Sequence, residues 1–224
     1  MTVTGTSNGP ESARLRARQG AGPAGHLRAG RFPGLLAALL WAASACGSPV
    51  GQARPSAASP DPAPFAWFRP GPAPSGWKAL ALPDGTAVLS VPPGSVAAES
   101  DPGSVSATVT GPDGDLLIYL NATPQQGEET QANWAEFRLA HLRGEHAAAA
   151  DRLSSRGEMF FRGGTGACVA DSYVTRVGAH SYREIACLVT GGRASSVVVV
   201  AAPAESWHLY SPLMEQAVNS YLVR

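Results

Sequence analysis

"GACVADSYVTRVGAHSYREIACLVTGGRASSVVVVA", Gly166 to Ala201, sets the fold class of this chain. Ala167 to Arg176 and His180 to Thr190 read as strands, and Val197–Val200 is a short apolar run of the kind a buried strand carries. A two-residue hairpin turn centred on Val177–Gly178 places Cys168 opposite Cys187. Directly opposed residues have Cβ atoms ~4.5–5.5 Å apart, slightly wide of the ~3.8 Å of a disulfide but within local adjustment. We therefore expect a structural Cys168–Cys187 bridge, contributing about 3 kcal/mol in the chain-entropy account. No Cys-x-x-Cys argues for a redox centre. The same register sets Asp171 against Glu184. Two carboxylates so placed can share a proton, although Arg176 and Arg183 nearby favour pairing at the surface.

Upstream of the meander, Thr86–Val91 reads as a strand ended by Pro92-Pro93-Gly94. Ser104–Thr110 alternates polar and apolar residues, and Leu116–Leu120 follows across Gly111-Pro-Asp-Gly114. In that turn Pro presets φ and Gly accepts a positive one, so the two strands form a hairpin. The period then changes. Thr130 to Arg143 carries Trp134, Phe137 and His141 at helical spacing, flanked by Leu139 and Leu142. Glu128 and Glu129 lie at the positive end of this helix, Arg143 at the negative end, and Gly144 as a stop. After an Ala-rich link comes Met159-Phe-Phe161. Beyond the meander, Ser211 caps a final helix with Pro212 at its first position and Leu213, Met214, Ala217, Val218 and Tyr221 on its apolar face. The expected architecture is α+β, an antiparallel sheet of about six to seven strands covered by helices.

The sequence at this point resembles the PsbP/Mog-type α-β-α sandwich family, and within it the actinobacterial LpqN-like lipoproteins. The resemblance covers roughly residues 76–224. It rests on "AVLSVPPG" (Ala87–Gly94), "NWAEFRLAHLR" (Asn133–Arg143), the meander, and "PLMEQAVNSY" (Pro212–Tyr221). It implies non-enzymatic binding or scaffolding, and it brings no invariant site to carry over.

The other decisive stretch is "LLAALLWAASACGS", Leu35 to Ser48. It is short of the roughly 20 apolar residues of a bilayer span. Arg14, Arg16, Arg18, Arg28 and Arg31 precede it, and Ala43-Ser44-Ala45-Cys46 closes it. A basic segment, an apolar segment and small residues before a break describe a secretory signal. The break resembles a bacterial lipobox, with Ala43 where that motif usually has Leu and with an unusually long basic segment. The resemblance implies cleavage after Ala45 and a diacylglyceryl thioether on Cys46. An ordinary signal peptide cut after Ala43-Ser44-Ala45, or an uncleaved segment, stays open. Lipidation of Cys46 would explain the odd cysteine and leave an even pair, as suits an oxidising compartment.

Residues 1–45 are thus expected to be a signal peptide, 46–75 a tether, and 76–224 one globular domain. The tether is rich in Pro, Ala, Ser and Gly, which biases it toward an extended spacer of up to ~80 Å at ~3.1 Å per residue. Phe65, Trp67 and Phe68 interrupt it. They are expected to pack on the domain edge, with a lipid-headgroup or partner interface as the alternative.

Lys+Arg and Asp+Glu number 17 each, so the net charge is zero and no basic stripe suits nucleic acid. No cofactor and no metal is expected. Gly5-Thr-Ser7-Asn-Gly9 matches a nucleophile elbow but lies in the leader, away from any strand–helix turn. Ser75-Gly-Trp-Lys78 matches S-x-x-K, but Lys78 is the chain's one lysine, so the second lysine of such enzymes is missing. His141 and His146 are five apart, where a helical zinc pair needs four. Asp113 and Asp115 offer too few oxygens for calcium. Gly163-Gly-Thr-Gly166 has no helix after it to complete a phosphate site. The reading is a monomeric, lipid-anchored extracytoplasmic binding or scaffold protein of the cell envelope, not an enzyme. Its partner would be an envelope protein, a lipid or a glycan. The alternatives are an envelope esterase or peptidase with a dispersed site, and a small-ligand carrier.

Overall fold

A computed structural model describes residues 63–145 and 147–224; Cys46, His146 and the leader lie outside the described residues. Ten strands and two helices follow in order. The strands are β1 (Lys78–Ala81), β2 (Ala87–Val91), β3 (Val96–Ala98), β4 (Val105–Thr110), β5 (Leu116–Pro124), β6 (Ala147–Phe161), β7 (Gly164–Thr175), β8 (Ser181–Gly191), β9 (Ser195–Pro203) and β10 (Leu222–Val223). Helix α1 (Trp134–Glu145) falls between β5 and β6, and α2 (Trp207–Ser220) between β9 and β10. Seven strands form an antiparallel sheet in the order β3-β4-β5-β9-β8-β7-β6, and β1-β2-β10 form a second, smaller sheet. The fold is α+β, with the large sheet between α1 on one face and α2 with the small sheet on the other.

Period-two alternation decides what each face receives. Cys168, Ile185, Cys187, Val189, Val198 and Val200 point to the α2 face and pack with Leu89, Met214, Val218 and Tyr221. Ala167, Val169, Ala186, Leu188, Val197 and Val199 point to the α1 face and pack under Trp134 and Leu139. The β7–β8 register is Cys168↔Cys187 and Asp171↔Glu184, and the cysteines are bonded, with Cα atoms 4.1 Å apart.

Several elements differ from the sequence reading. β6 runs for 15 residues through the stretch expected as an Ala-rich link. It is one of the two edge strands of the sheet and mostly exposed, so the apolar alternation that reveals a strand is missing from it. Helix α1 starts at Trp134, and the turn leading into it is closed by a reciprocal pair: Thr130 N–H donates to Asn133 Oδ1 (2.7 Å) and Asn133 N–H to Thr130 Oγ1 (3.2 Å). Gly144 does not stop it, as the helix runs on to Glu145. Helix α2 starts before Ser211, at Trp207, with Pro212 inside it. The missing N–H removes one bond, while Trp207 and Tyr210 gain contact with the core. Leu213, expected on the apolar face, is 40% exposed.

The boundary expected at residue 76 also moves. Residues 64–67 form a turn, Phe65 and Phe68 are buried, and the Phe68 ring lies 4.8 Å from that of Phe161. Arg69 N–H donates to Asn219 Oδ1 (2.6 Å), tying this segment to the end of α2. Large aromatic area offsets the ordering cost of a Pro-rich chain where that composition alone does not. Gly163 and Gly164 join β6 to β7, and a side chain on either would run into the carbonyls of Val223 and Thr190. These glycines make room for β10.

Candidate functional site

Helix α1 covers only part of its face of the sheet, packing on β6, β7 and β8. Cross-strand rows show what that leaves open. One row runs Tyr119–Ala201–Glu184–Asp171–Arg152, and the next runs Ser106–Asn121–Val199–Ala186–Val169. The apolar middle of the second row is buried under α1. The β4–β5 end carries hydroxyls, an amide and a phenol instead.

Between this polar end and the flank of α1 lies a recess of about 590 Å³. Its floor is tied together: Asn121 Nδ2 donates to Ser106 Oγ (2.9 Å), Ser104 Oγ to Thr123 Oγ1 (2.8 Å), and Gln126 Nε2 to the same Thr123 oxygen (3.0 Å). Tyr119 Oη lies 3.4 Å from Ser106 Oγ. Arg138 and His141 of α1 form the facing wall, with Tyr173 and Glu184 at its base. A second recess of about 270 Å³, bordered by Phe137 and Trp134, shares Gln126 and His141 with the first. Phe137 stacks at 6.5 Å on His141, and His141 Nε2 lies 3.6 Å from Glu145 Oε2.

Arg138 was not singled out from the sequence, yet it organises this side of the molecule. Its Nε and Nη2 bind Glu184 Oε1 and Oε2 at 2.6 and 3.0 Å, a bidentate pair. Glu184 is 1% exposed and Asp171, directly opposite, 0%. Burial opposes the charge on Arg138, but Glu184, with Asp171 and Tyr173, outweighs it and holds the guanidinium above its ordinary pKa. Burial first, then Glu184, pushes the Asp171 carboxyl up to about 8, with Arg138 partly offsetting them. The Tyr173 phenol is likewise raised, chiefly by burial and by Glu184.

The expected surface pairing of Asp171 and Glu184 with Arg176 and Arg183 does not form. Arg183 alternates onto the α2 face, where its guanidinium lies 5.3 Å from the Trp207 ring. Arg176 donates to the carbonyls of Ala147 and Arg143. A signal for the true partner was present: Arg138 sits four residues after Trp134 and four before Leu142, within the stripe that a helix buries. A cation there implies a buried acid.

The other candidates are dispersed. Phe65 and Phe68 lie in the core and Trp67 packs half-buried against them. The Cys168–Cys187 bridge is fully buried on the α2 face. Among the described residues, no group of three or more His, Cys, Asp or Glu could hold a metal ion, and no helix is long and apolar enough to cross a membrane.

No family model and no curated protein matches the chain. Solved structures do match it. One is a Pseudomonas aeruginosa protein of unknown function, at 11% identity and TM-score 0.44, covering 66% of this chain and 97% of that one. A second is the cyanobacterial PsbP of Synechocystis sp. PCC 6803, at 9% identity and TM-score 0.49, covering 66% and 92%. A third is LpqN of Mycobacterium tuberculosis, described as involved in cell envelope biogenesis, at 13% identity and TM-score 0.43, covering 66% and 90%.

Proposed function

We propose that this chain is a lipid-anchored, extracytoplasmic binding module without catalytic activity, and that its ligand occupies the recess between α1 and β5. The observation that carries this reading is the floor of that recess. Ser104, Tyr119, Asn121, Thr123 and Gln126 present hydroxyls and amides held by one another and by buried Ser106; the charges at the base, Arg138 and Glu184, compensate each other, and Asp101 and Glu145 stand at the exposed edge. Oriented neutral donors and acceptors beside aromatic rings suit a hydroxyl-rich, uncharged ligand, for which an envelope glycan is the natural class. A hydrolase would instead need a nucleophile held against a general base. A carrier of apolar ligands would need an apolar cavity.

The first test is titration of the full chain with neutral oligosaccharides, read by NMR shifts at Asn121 and Tyr119. Saturable shifts lost in Asn121→Ala, with the fold intact, support the site. Shifts absent throughout, or turnover in an esterase and peptidase screen that Ser→Ala or His→Ala variants abolish, would overturn it. The anchor is tested separately by intact mass of the protein from native membranes. A chain beginning at Cys46 with an added diacylglyceryl group is expected, and a Cys46→Ser chain should lack that mass. A full-length mass would refute the anchor while leaving the recess reading open to its own test.

A further inference from the structure

Asp171 and Glu184 face each other from β7 and β8 under α1, both excluded from solvent. The cation that reaches them is Arg138, and both of its hydrogen bonds go to Glu184. Neither Asp171 oxygen has a hydrogen-bond partner. The other groups around the pair are already committed or uncharged. Arg152, the register partner of Asp171 on β6, turns its guanidinium to Glu136 of α1 at 2.8 Å. Tyr173 and Tyr182, the next pair along β7 and β8, stack on each other at 5.6 Å. From α1 the remaining buried neighbours are Trp134, Leu139 and Leu142, which carry no charge, while His141 and Glu145, 3.6 Å from each other, border the recess that Glu184 also lines. One guanidinium against two carboxylates leaves a surplus negative charge in a dry site, and such a group neutralises itself by taking a proton.

We infer that Asp171 keeps its proton at neutral pH and acts as an alkaline-side latch, whose ionisation loosens α1 from the sheet. Ionised Asp171 repels Glu184 and competes with it for Arg138, and it draws water beneath the helix. Arg138 and Glu184 also line the recess, so releasing the latch alters its wall. That consequence for ligand binding rests on the function proposed above, whereas the latch itself does not.

The raised pKa of Asp171, about 8 against an ordinary 3.8, fixes the sign of the pH dependence. The folded chain holds a proton that the unfolded chain releases. The stability this group contributes is therefore full below about pH 4, falls as pH rises through the window to about 8, and levels off above it. Asp171→Asn copies the shape of the protonated acid and removes the titration.

The experiment is a carbon-13 NMR titration of aspartate carboxyls in the full chain, with thermal melts and amide exchange of wild type and Asp171→Asn. One carboxyl should titrate near pH 8 and be missing from the variant. The Tm difference should be small near pH 4 and widen in favour of Asn up to about pH 8. At pH 9 the amides of Arg138–Leu142 should exchange faster in wild type than in the variant. Aspartates that all titrate below about pH 5, a Tm difference independent of pH, or equal exchange at pH 9 would each overturn the latch. If the variant does not fold, the wild-type titration decides the question alone.

Discussion

On the α2 face of the large sheet, Cys168, Ile185, Cys187, Val198 and Val200 meet Met214, Val218 and Tyr221, and the packing is apolar apart from the buried hydrogen bond between Tyr221 Oη and Ser196 Oγ (2.7 Å). On the α1 face the same strands place Asp171 and Glu184 beneath a buried arginine, and beyond them an open floor of hydroxyls and amides. One residue step along β8, from Arg183 to Glu184, separates a guanidinium lying over an indole from a carboxylate gripped by another guanidinium. The two faces divide the work. An apolar interface stabilises in proportion to the area it removes from water and has few ways to respond to solution conditions. A buried ion pair adds little net stability over an apolar replacement, but it is costly to break and it titrates.

This contrast can be broken from either side. The largest loss is expected on the apolar face, where Phe68→Ala removes a ring packed on Phe161 and should cost about 3–5 kcal/mol in chemical denaturation. A loss under about 1 kcal/mol would return residues 63–75 to the tether. On the charged face, Arg138→Met leaves Glu184 buried without its cation and should cost about 3–4 kcal/mol at pH 7. A penalty under about 1 kcal/mol would mean that the uncompensated carboxylate is tolerated beneath α1. Replacing Cys168 and Cys187 together by Ala should cost roughly 2–4 kcal/mol, measured against the oxidised chain. The smallest effect belongs to the exposed pair between Arg152 and Glu136. Removing it by Arg152→Ala should change stability by about 0.5 kcal/mol or less, and 1 M salt should erase the difference.

Much of the apolar face was legible in the sequence. The turn at Val177–Gly178 fixes the β7–β8 register, and that register brings Cys168 to Cys187. Strands with a buried face, such as β2, β8 and β9, declare themselves through β-branched and apolar residues. β6 did not, because an outer strand in contact with water has no need of alternation. That Phe65, Trp67 and Phe68 pack on the domain could be read from their clustering, but not that Phe68 meets Phe161, some ninety residues away. Of the recess, its residues could be read but not their meeting. Asn121 and Ser106 are ordinary polar residues until the β4–β5 hairpin sets them 2.9 Å apart.

By itself the sequence determined the α+β class, the hairpin register, the pairing of Asp171 with Glu184 across it, and the two helices, because turn chemistry and hydrophobic period are local properties. Tertiary structure alone decided that Asp171 and Glu184 are buried, that Arg138 is their counter-ion, and that α1 leaves a polar recess beside β5. Burial and the identity of a counter-ion depend on which helix is laid over which half of the sheet, and no local pattern encodes that choice.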